Sequence, residues 1–305
     1  MKKEDIVKRV FEEGLMVSPA AIPMIDESNI DGIIKKARGA GAKMIDVSLF
    51  AEAPSSAAPE IVIESHMPAE KMTPKDFSSF YAEKYEGIRQ LLVGKIKPVS
   101  INNAAAAKEV SVIGMVKEMN PQGFVLEDPT GEIAVVSNES GITEDDVIGV
   151  SGFVREGRIT GSKVIYPDIP LNRKIGTASL RVALSGKPRK HDADILLSAE
   201  SGEGATHFAG NPARATIGDI LILKVDMQKA DPEEATMWLK KRHLPHTRKP
   251  DSAEDDLLMK RIPDIIWINA ESGKWTKIYK GVIVVSTSAS DAVVINMENK
   301  EIEFV

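Results

Sequence analysis

Histidine is the first residue type to consider as a metal ligand or as a general acid or base, because the chain contains no cysteine. Disulfides, thiolate nucleophiles and cysteine-ligated zinc are therefore excluded, which fits a reducing compartment. Pro245 stands between His243 and His246 and disfavours a regular helical ligand pair. No histidine has a carboxylate at a recognisable metal-ligand spacing. We predict structural or exposed roles for His66, His191, His207, His243 and His246.

Three acidic residues form a second candidate metal site. Asp192, Asp194 and Glu200 flank the apolar run at 195–197. Oxygen ligands of this kind bind hard divalent cations. A charged loop beside a short sheet explains the same pattern, and we prefer that interpretation.

Basic residues could contact the phosphates of DNA, since phosphate contacts need only point charges. The alternative is a solvated loop and a helix end whose charges suit the helix dipole, and we favour it for the groups outside the predicted barrel. The candidate DNA contacts are Lys117, Arg155, Arg158 and Lys163 in the predicted barrel, Lys187, Arg189 and Lys190 in a later loop, and Lys240, Lys241 and Arg242 at a helix end, with Arg248 and Lys249 nearby.

Composition limits how the chain could bind nucleic acid. A formal net charge of −6 argues against binding by charge over the whole surface, so any DNA contact must be local or supplied by a partner. The N-terminal segment is too charged for a signal peptide, and no apolar run approaches the ~18 residues of a membrane helix. We expect a soluble cytoplasmic protein without membrane contact, and the 305 residues suggest two domains.

The elements that position these residues begin with a predicted all-β unit at 109–173. Polar and apolar residues alternate at 110–117, and Asp128-Pro129-Thr130-Gly131 has the composition of a type I turn between two strands. Five strands, with a short helix at 140–146 after the third, are the order of an OB-fold barrel. A generic five-stranded meander would have a similar pattern. Aromatic stacking platforms are scarce in this unit, where Phe124, Phe153 and Tyr166 are the only aromatic residues.

Helical patterns precede the barrel. Residues 1–50 predict a module of about three helices, one of them starting at Ser18-Pro19, which serves either as a structural cap or as a binding module. Residues 51–108 predict a linker with one amphipathic helix, which Thr73-Pro74 opens and whose apolar stripe includes Phe80 and Ile88. The run at 102–107 has the composition of a spacer.

The remainder, 174–305, combines six apolar, β-branched runs with one clear helix at 231–242. The runs, which predict strands, are 180–184, 195–197, 220–225, 265–268, 282–285 and 292–295. Pro232 at its first position and acidic and basic residues at opposite ends match the helix dipole. Strands buried on both faces and interleaved with a helix predict an α/β sandwich.

Four stretches resemble one family over most of the chain: VSVIGMVKE with LEDPTGEI, YPDIPLNR, HFAGNPA, and LKKRHL with IPDII. They are similar to the small subunits of archaeal D-family DNA polymerases, which in turn resemble the B subunits of eukaryotic replicative polymerases. The resemblance implies an OB-fold followed by a calcineurin-like phosphoesterase domain. In active members that domain is a metal-dependent 3′ to 5′ exonuclease, whose two cations are held by Asp, Asn and His ligands.

This chain departs from the family at the ligand positions. The stretch from the first ligand strand to Phe208 is only about twenty residues, so the intervening ligand motifs are missing. The positions expected to hold metal ligands are occupied by Ser185, Val225, Asn269, Ala270 and Ser272. The resemblance therefore implies a shortened, degenerate phosphoesterase domain with no catalytic residues, no metal and no cofactor.

The function expected from the resemblance is a non-catalytic scaffold subunit of a D-family replicative DNA polymerase. Its partners would be the large catalytic subunit, in a heterodimer, and DNA within that complex. A stand-alone OB-fold protein that binds single-stranded nucleic acid is the alternative, against which the acidic balance argues. An enzyme with a rebuilt phosphoesterase site is a third interpretation and the least favoured.

Overall fold

The computed structural model describes residues 3–26, 29–39, 42–46, 60–65, 71–104, 106–245, 250–271 and 273–305. The chain divides into two compact units, 1–59 and 60–305. It is rich in β-sheet, with a five-stranded barrel and few helices, which agrees with the predicted β-rich multidomain class. Within the described ranges every helix is too short or too polar to cross a bilayer.

The first unit pairs two helices with a minimal sheet. It comprises α1 (Lys3–Glu12), β1 (Met16–Val17), a 3-10 turn (Ile22–Met24), α2 (Ile30–Gly39) and β2 (Met44–Ile45), and β1 and β2 pair in parallel. The helix predicted at Ser18-Pro19 is wrong. The Ser18 carbonyl accepts hydrogen bonds from Ala21 and Ile22 in a turn, and Pro23 has no N–H to continue an α-helix.

The barrel confirms the five predicted strands. They are β4 (Glu109–Asn120), β5 (Gly123–Asp128), β6 (Gly131–Val136), β7 (Val147–Arg155) and β8 (Arg158–Ile165). The closed order is β4-β5-β6-β8-β7, and the parallel contact of β6 with β8 completes it while the other pairs are antiparallel. Alternating side chains such as Val112, Leu126 and Ile148 fill the interior.

Two local predictions around the barrel are wrong. Residues 140–146 form a turn rather than a helix, because Gly141 and Asp145 have positive φ angles of 79° and 67° and Ile142 turns into the barrel core. The predicted spacer contains a short helix, α4 (Ile101–Ala104), whose two terminal residues are buried in the same core. The Asp128 side chain accepts a hydrogen bond from the Ile101 N–H, so the turn predicted at 128–131 also holds α4.

A two-sheet sandwich follows the barrel. Its six-stranded sheet runs β15-β16-β14-β13-β12-β3, and its five-stranded sheet runs β11-β10-β9-β17-β18. Side chains from both sheets, including Val182, Ile222 and Trp267, share one buried core. The strands are β3 (Ile61–Ser65), β9 (Arg181–Ser185), β10 (Ile195–Ser198), β11 (Thr206–His207), β12 (Ala213–Ile217), β13 (Ile220–Met227), β14 (Ile265–Ala270), β15 (Trp275–Tyr279), β16 (Val282–Thr287), β17 (Ala292–Asn296) and β18 (Ile302–Phe304).

Strand β3 was not anticipated, since it lies in the stretch predicted as a linker. It pairs antiparallel with β12 and forms one edge of the six-stranded sheet. The six longer apolar runs predicted as strands in 174–305 are confirmed as β9, β10, β13, β14, β16 and β17. The limits predicted for the domains inside residues 60–305 remain predictions.

Helix α3 (Pro74–Val93) joins the barrel to the sandwich. The predicted capping box is present, with the Thr73 hydroxyl accepting from the Asp76 N–H and the Asp76 carboxylate accepting from the Thr73 N–H. Phe80 packs against the outer face of the six-stranded sheet, whereas Ile88 packs on the outside of the barrel. The predicted helix α5 (Pro232–Lys241) lies on the same sheet face as Phe80 and is capped by Asp231.

Candidate functional site

The carboxyl ends of the parallel strands β13 and β14 are where the resemblance places metal ligands. Val225 packs in the apolar cluster under α5, and Ala270 is buried in the same cluster. The amide of Asn269 donates to Asp226 Oδ1 at 2.8 Å. On β9, the buried Ser185 hydroxyl donates to the Lys187 carbonyl at 2.7 Å. Ser272 lies outside the described residues.

A buried lysine lies at the same end of the sheet. The Lys224 side chain is 2% exposed, and its ammonium donates to Asp226 Oδ2 at 2.7 Å and to the Gly210 carbonyl at 2.8 Å. Asn211 hydrogen-bonds both the N–H and the carbonyl of Asp226, which fixes the backbone of that residue. The carboxylate at this strand end is therefore already neutralised by a cation of the chain itself.

The described histidines do not assemble with acidic residues into a metal centre. Across the described ranges no group of three His, Asp or Glu side chains has a geometry suited to a metal ion. The exposed His207 lies 3.2 Å from the Ala199 carbonyl through Nε2, and two of the three acidic residues near 195–197 bind Arg181. Asp194 accepts from its N–H and Asp192 pairs with its guanidinium. His66 and His246 lie outside the described residues.

The candidate cations of the barrel are all exposed. Lys117 forms an ion pair with Glu132, which raises the pKa of the Lys117 ammonium. Arg158 donates to the Gln122 side chain at 3.4 Å. Arg155 and Lys163 form no ion pair with another described residue.

The cations of the loop after β9 are exposed as well. Lys187 and Lys190 face solvent, and Arg189 reaches the Ser290 carbonyl at 3.4 Å. The candidate contacts of the barrel and those of this loop thus lie on different parts of the molecule, the barrel and the end of the sandwich.

Two of the three candidates at the end of α5 differ from the prediction. Arg242 adopts a left-handed conformation at the helix C-cap, is 5% exposed, and donates to the Met259 carbonyl at 2.6 Å. Lys241 is 14% exposed and pairs with Asp146 at 2.6 Å. Both side chains therefore hold the fold together, and Lys240 remains as the accessible cation of this group. Arg248 and Lys249 lie outside the described residues.

The junction between barrel and sandwich contains a charged network that the sequence interpretation missed. A cleft of about 710 Å³ is lined by Lys84 of α3, Asp146 of the barrel, and Lys241 and His243 beside α5. Burial lowers the pKa of the Lys84 ammonium, and the nearby Asp255 opposes that effect. The signal in the sequence is that Lys84 occupies an apolar-stripe position, four residues from both Phe80 and Ile88.

His243 and Asp255 form a buried pair at this junction. The imidazole Nε2 lies 3.0 Å from Asp255 Oδ2. Burial lowers the pKa of His243, whereas its hydrogen bond to the carboxylate acts in the opposite direction. Burial alone would raise the pKa of Asp255, but the hydrogen bond from His243 and the charge of Lys84 lower it. A neutral imidazole that donates from Nε2 to an ionised carboxylate agrees with both pKa shifts, and the contact is internal to the fold.

Comparison with known proteins finds a partial similarity to an archaeal DNA polymerase subunit. No family model matches the chain. A stretch of 109 residues is 28% identical to the DNA polymerase II small subunit of Archaeoglobus fulgidus. The alignment spans 32% of this chain and only 22% of the length of the archaeal protein. About a third of the chain is thus similar to an archaeal DNA polymerase small subunit.

Proposed function

We propose that this protein is an accessory subunit of a D-family replicative DNA polymerase, which binds the large catalytic subunit and acts as a scaffold rather than as a nuclease. The observation that carries the proposal is the 28% identity with an archaeal DNA polymerase II small subunit. The match covers 32% of this chain and 22% of the archaeal protein, and the binding of a large catalytic subunit is therefore itself a part of what we propose.

The barrel supports this assignment. Its closed order, β4-β5-β6-β8-β7, with five strands and one parallel closing pair, is the arrangement expected of an OB-fold. Helix α3 and the junction network connect the barrel to the sandwich through both apolar and charged contacts. The barrel and the sandwich, held together in this way, offer a stable surface to a partner subunit.

The strand ends support a sandwich without nuclease activity. A two-metal nuclease needs Asp, Asn and His ligands around two adjacent cations. Here Val225 and Ala270 supply no ligand atom, and Lys224 neutralises Asp226. Loss of the 3′ to 5′ exonuclease activity is the consequence we propose.

Co-expression tests the scaffold role. A tagged copy of this chain is produced together with the D-family large subunit of the same organism and purified in moderate salt. We expect a stable heterodimer on gel filtration. Recovery of the tagged chain alone, with the large subunit soluble in the same extract, contradicts the proposal.

A nuclease assay tests the loss of activity separately. The isolated chain and the complex are incubated with 5′-labelled single-stranded DNA and Mg²⁺ or Mn²⁺. We expect no shortening above that of a chelator-treated control. Chelator-sensitive degradation that co-elutes with this chain overturns the inactive assignment without touching the scaffold role.

A further inference from the structure

The outer surface of strands β7 and β8 combines cations with an exposed aromatic ring. Phe153 and Arg155 flank Val154, which packs against the barrel core, so both project outwards. Phe153 is 49% exposed, and the neighbouring Arg155, Arg158 and Lys163 are exposed as well. We call these four residues the β7-β8 face.

Strand register brings two arginines directly opposite each other. Arg155 pairs with Arg158, and the next pair on the same face of the ladder is Phe153 with Thr160. Like charges opposite each other in a sheet are destabilising, and among the described residues neither arginine forms an ion pair with a carboxylate. The fold therefore carries a local repulsion that an external anion would relieve.

A groove continues from the same face towards the sandwich. Its volume is about 500 Å³, and Lys163 of the face lines it together with Lys95 and Lys240. The acidic lining residues are Glu139 and Asp168, of which Asp168 is bound by Lys280 at 2.5 Å and by the Tyr279 hydroxyl at 3.0 Å. Three lysines thus face one uncompensated carboxylate in a chain that is acidic as a whole.

We propose that the β7-β8 face and this groove bind single-stranded nucleic acid, with phosphates on Arg155, Arg158 and the groove lysines and one base stacked on Phe153. An exposed ring between cations suits unpaired bases, whose faces are available, while the cations follow the backbone. An acidic peptide would form ion pairs with the cations and leave the Phe153 ring without a stacking partner. The inference rests on the proposed function. It adds that the isolated chain itself carries a binding path for single-stranded nucleic acid, which we call the strand path.

Fluorescence anisotropy with labelled oligothymidylate tests the proposal on the full chain. Phe153→Ala should weaken binding by about tenfold. The double variant R155Q/R158Q should weaken binding and reduce the slope of log K against log salt by about 1.4, since each lost contact with a single strand removes about 0.7. Its melting temperature should stay equal or rise, because the repulsion between the arginines is gone.

The matched control is K187Q/K190Q, which removes two exposed cations from the end of the sandwich. We expect it to bind like the unmodified chain. Equal losses in this control and in R155Q/R158Q, or unchanged binding by Phe153→Ala, overturn the strand path. Displacement of the oligonucleotide by polyglutamate at equal charge concentration assigns the face to an acidic protein segment and also overturns it.

Capture of the large subunit is measured with the same variants, so that the two hypotheses are separated. If R155Q/R158Q loses the oligonucleotide and still forms the heterodimer, both stand. If the unmodified chain forms the heterodimer but does not bind oligothymidylate at low salt, only the strand path fails.

Discussion

Lys224 and Asp226 form a short ion pair, 2.7 Å between Nζ and Oδ2, at the carboxyl end of strand β13. The lysine is almost fully buried and the aspartate side chain is 36% exposed, so the two charges differ strongly in their access to water. The ammonium also binds the Gly210 carbonyl and thereby connects the strand to the segment that precedes β12. The pair is thus part of the architecture of the sheet end.

Asp226→Asn should therefore destabilise the sandwich. Removing one partner of a fully buried pair costs about 3 to 5 kcal/mol, and the partial exposure of Asp226 reduces our expectation to about 2 kcal/mol. Urea unfolding at neutral pH measures the change. The exposed pair Lys174–Asp219 supplies the control, since Asp219→Asn should change the free energy of unfolding by less than about 0.5 kcal/mol. Equal effects in the two variants contradict this prediction.

The buried His243 makes stability sensitive to mild acid. Its pKa is below the usual value of about 6.5, so the unfolded chain binds a proton that the folded chain does not. The free energy of unfolding should be highest above pH 6.5 and fall as pH decreases below it, by at most about 1.4 kcal/mol per unit. Asp255, whose pKa is below its usual 3.8, adds a further loss only below that pH.

His243→Gln tests this dependence, because glutamine keeps a donor for Asp255 and does not titrate. Urea unfolding between about pH 5 and 7.5 should give a flatter profile for the variant. The exposed His207→Gln is the control and should retain the slope of the unmodified chain. A profile unchanged by His243→Gln assigns the acid sensitivity to another group.

Helix α3 covers an apolar patch on the outside of the barrel. Ile88 is 1% exposed and packs against Ile113 and Met115 on the outside of β4. Ile88→Ala should lower the free energy of unfolding by about 3 kcal/mol through lost burial and a residual cavity. Phe77, on the same helix and 39% exposed, provides the comparison, and Phe77→Ala should cost clearly less. The reverse order would show that α3 does not stabilise the barrel.

Gly114 in β4 leaves no room for a side chain. A Cβ atom there would lie 2.6 Å from Leu126 Cγ and 2.7 Å from the Glu127 carbonyl oxygen. Gly114→Ala should cost about 1 to 3 kcal/mol by overpacking the β4-β5 pair, as measured by thermal or urea unfolding. Gly131→Ala, where the nearest atom is 3.9 Å away, should be close to neutral. An unchanged free energy of unfolding in Gly114→Ala would contradict this prediction, because it would show that β4 and β5 move apart at little cost.

Local sequence signals predicted most of the regular elements, because strands and helices are encoded by short-range periodicity and capping. Alternation at 110–117 identified β4, and Thr73 with Asp76 identified the start of α3. The errors fall where a distant contact outweighs composition. Residues 102–107 have the composition of a spacer, yet helix α4 begins at Ile101, which is buried in the barrel core and whose N–H binds Asp128, 27 positions away. Strand β3 likewise exists through its pairing with β12.

The sequence by itself determined the chemistry that is available: no thiol, five histidines, and basic residues within an acidic total. Only the tertiary structure decided how those residues are used. It buried Arg242 among carbonyl groups, joined Lys241 to Asp146, and set Arg155 opposite Arg158 on an exposed face. The physical reason is that burial and ion pairing depend on neighbours far away in the chain, and short-range patterns contain no record of those neighbours.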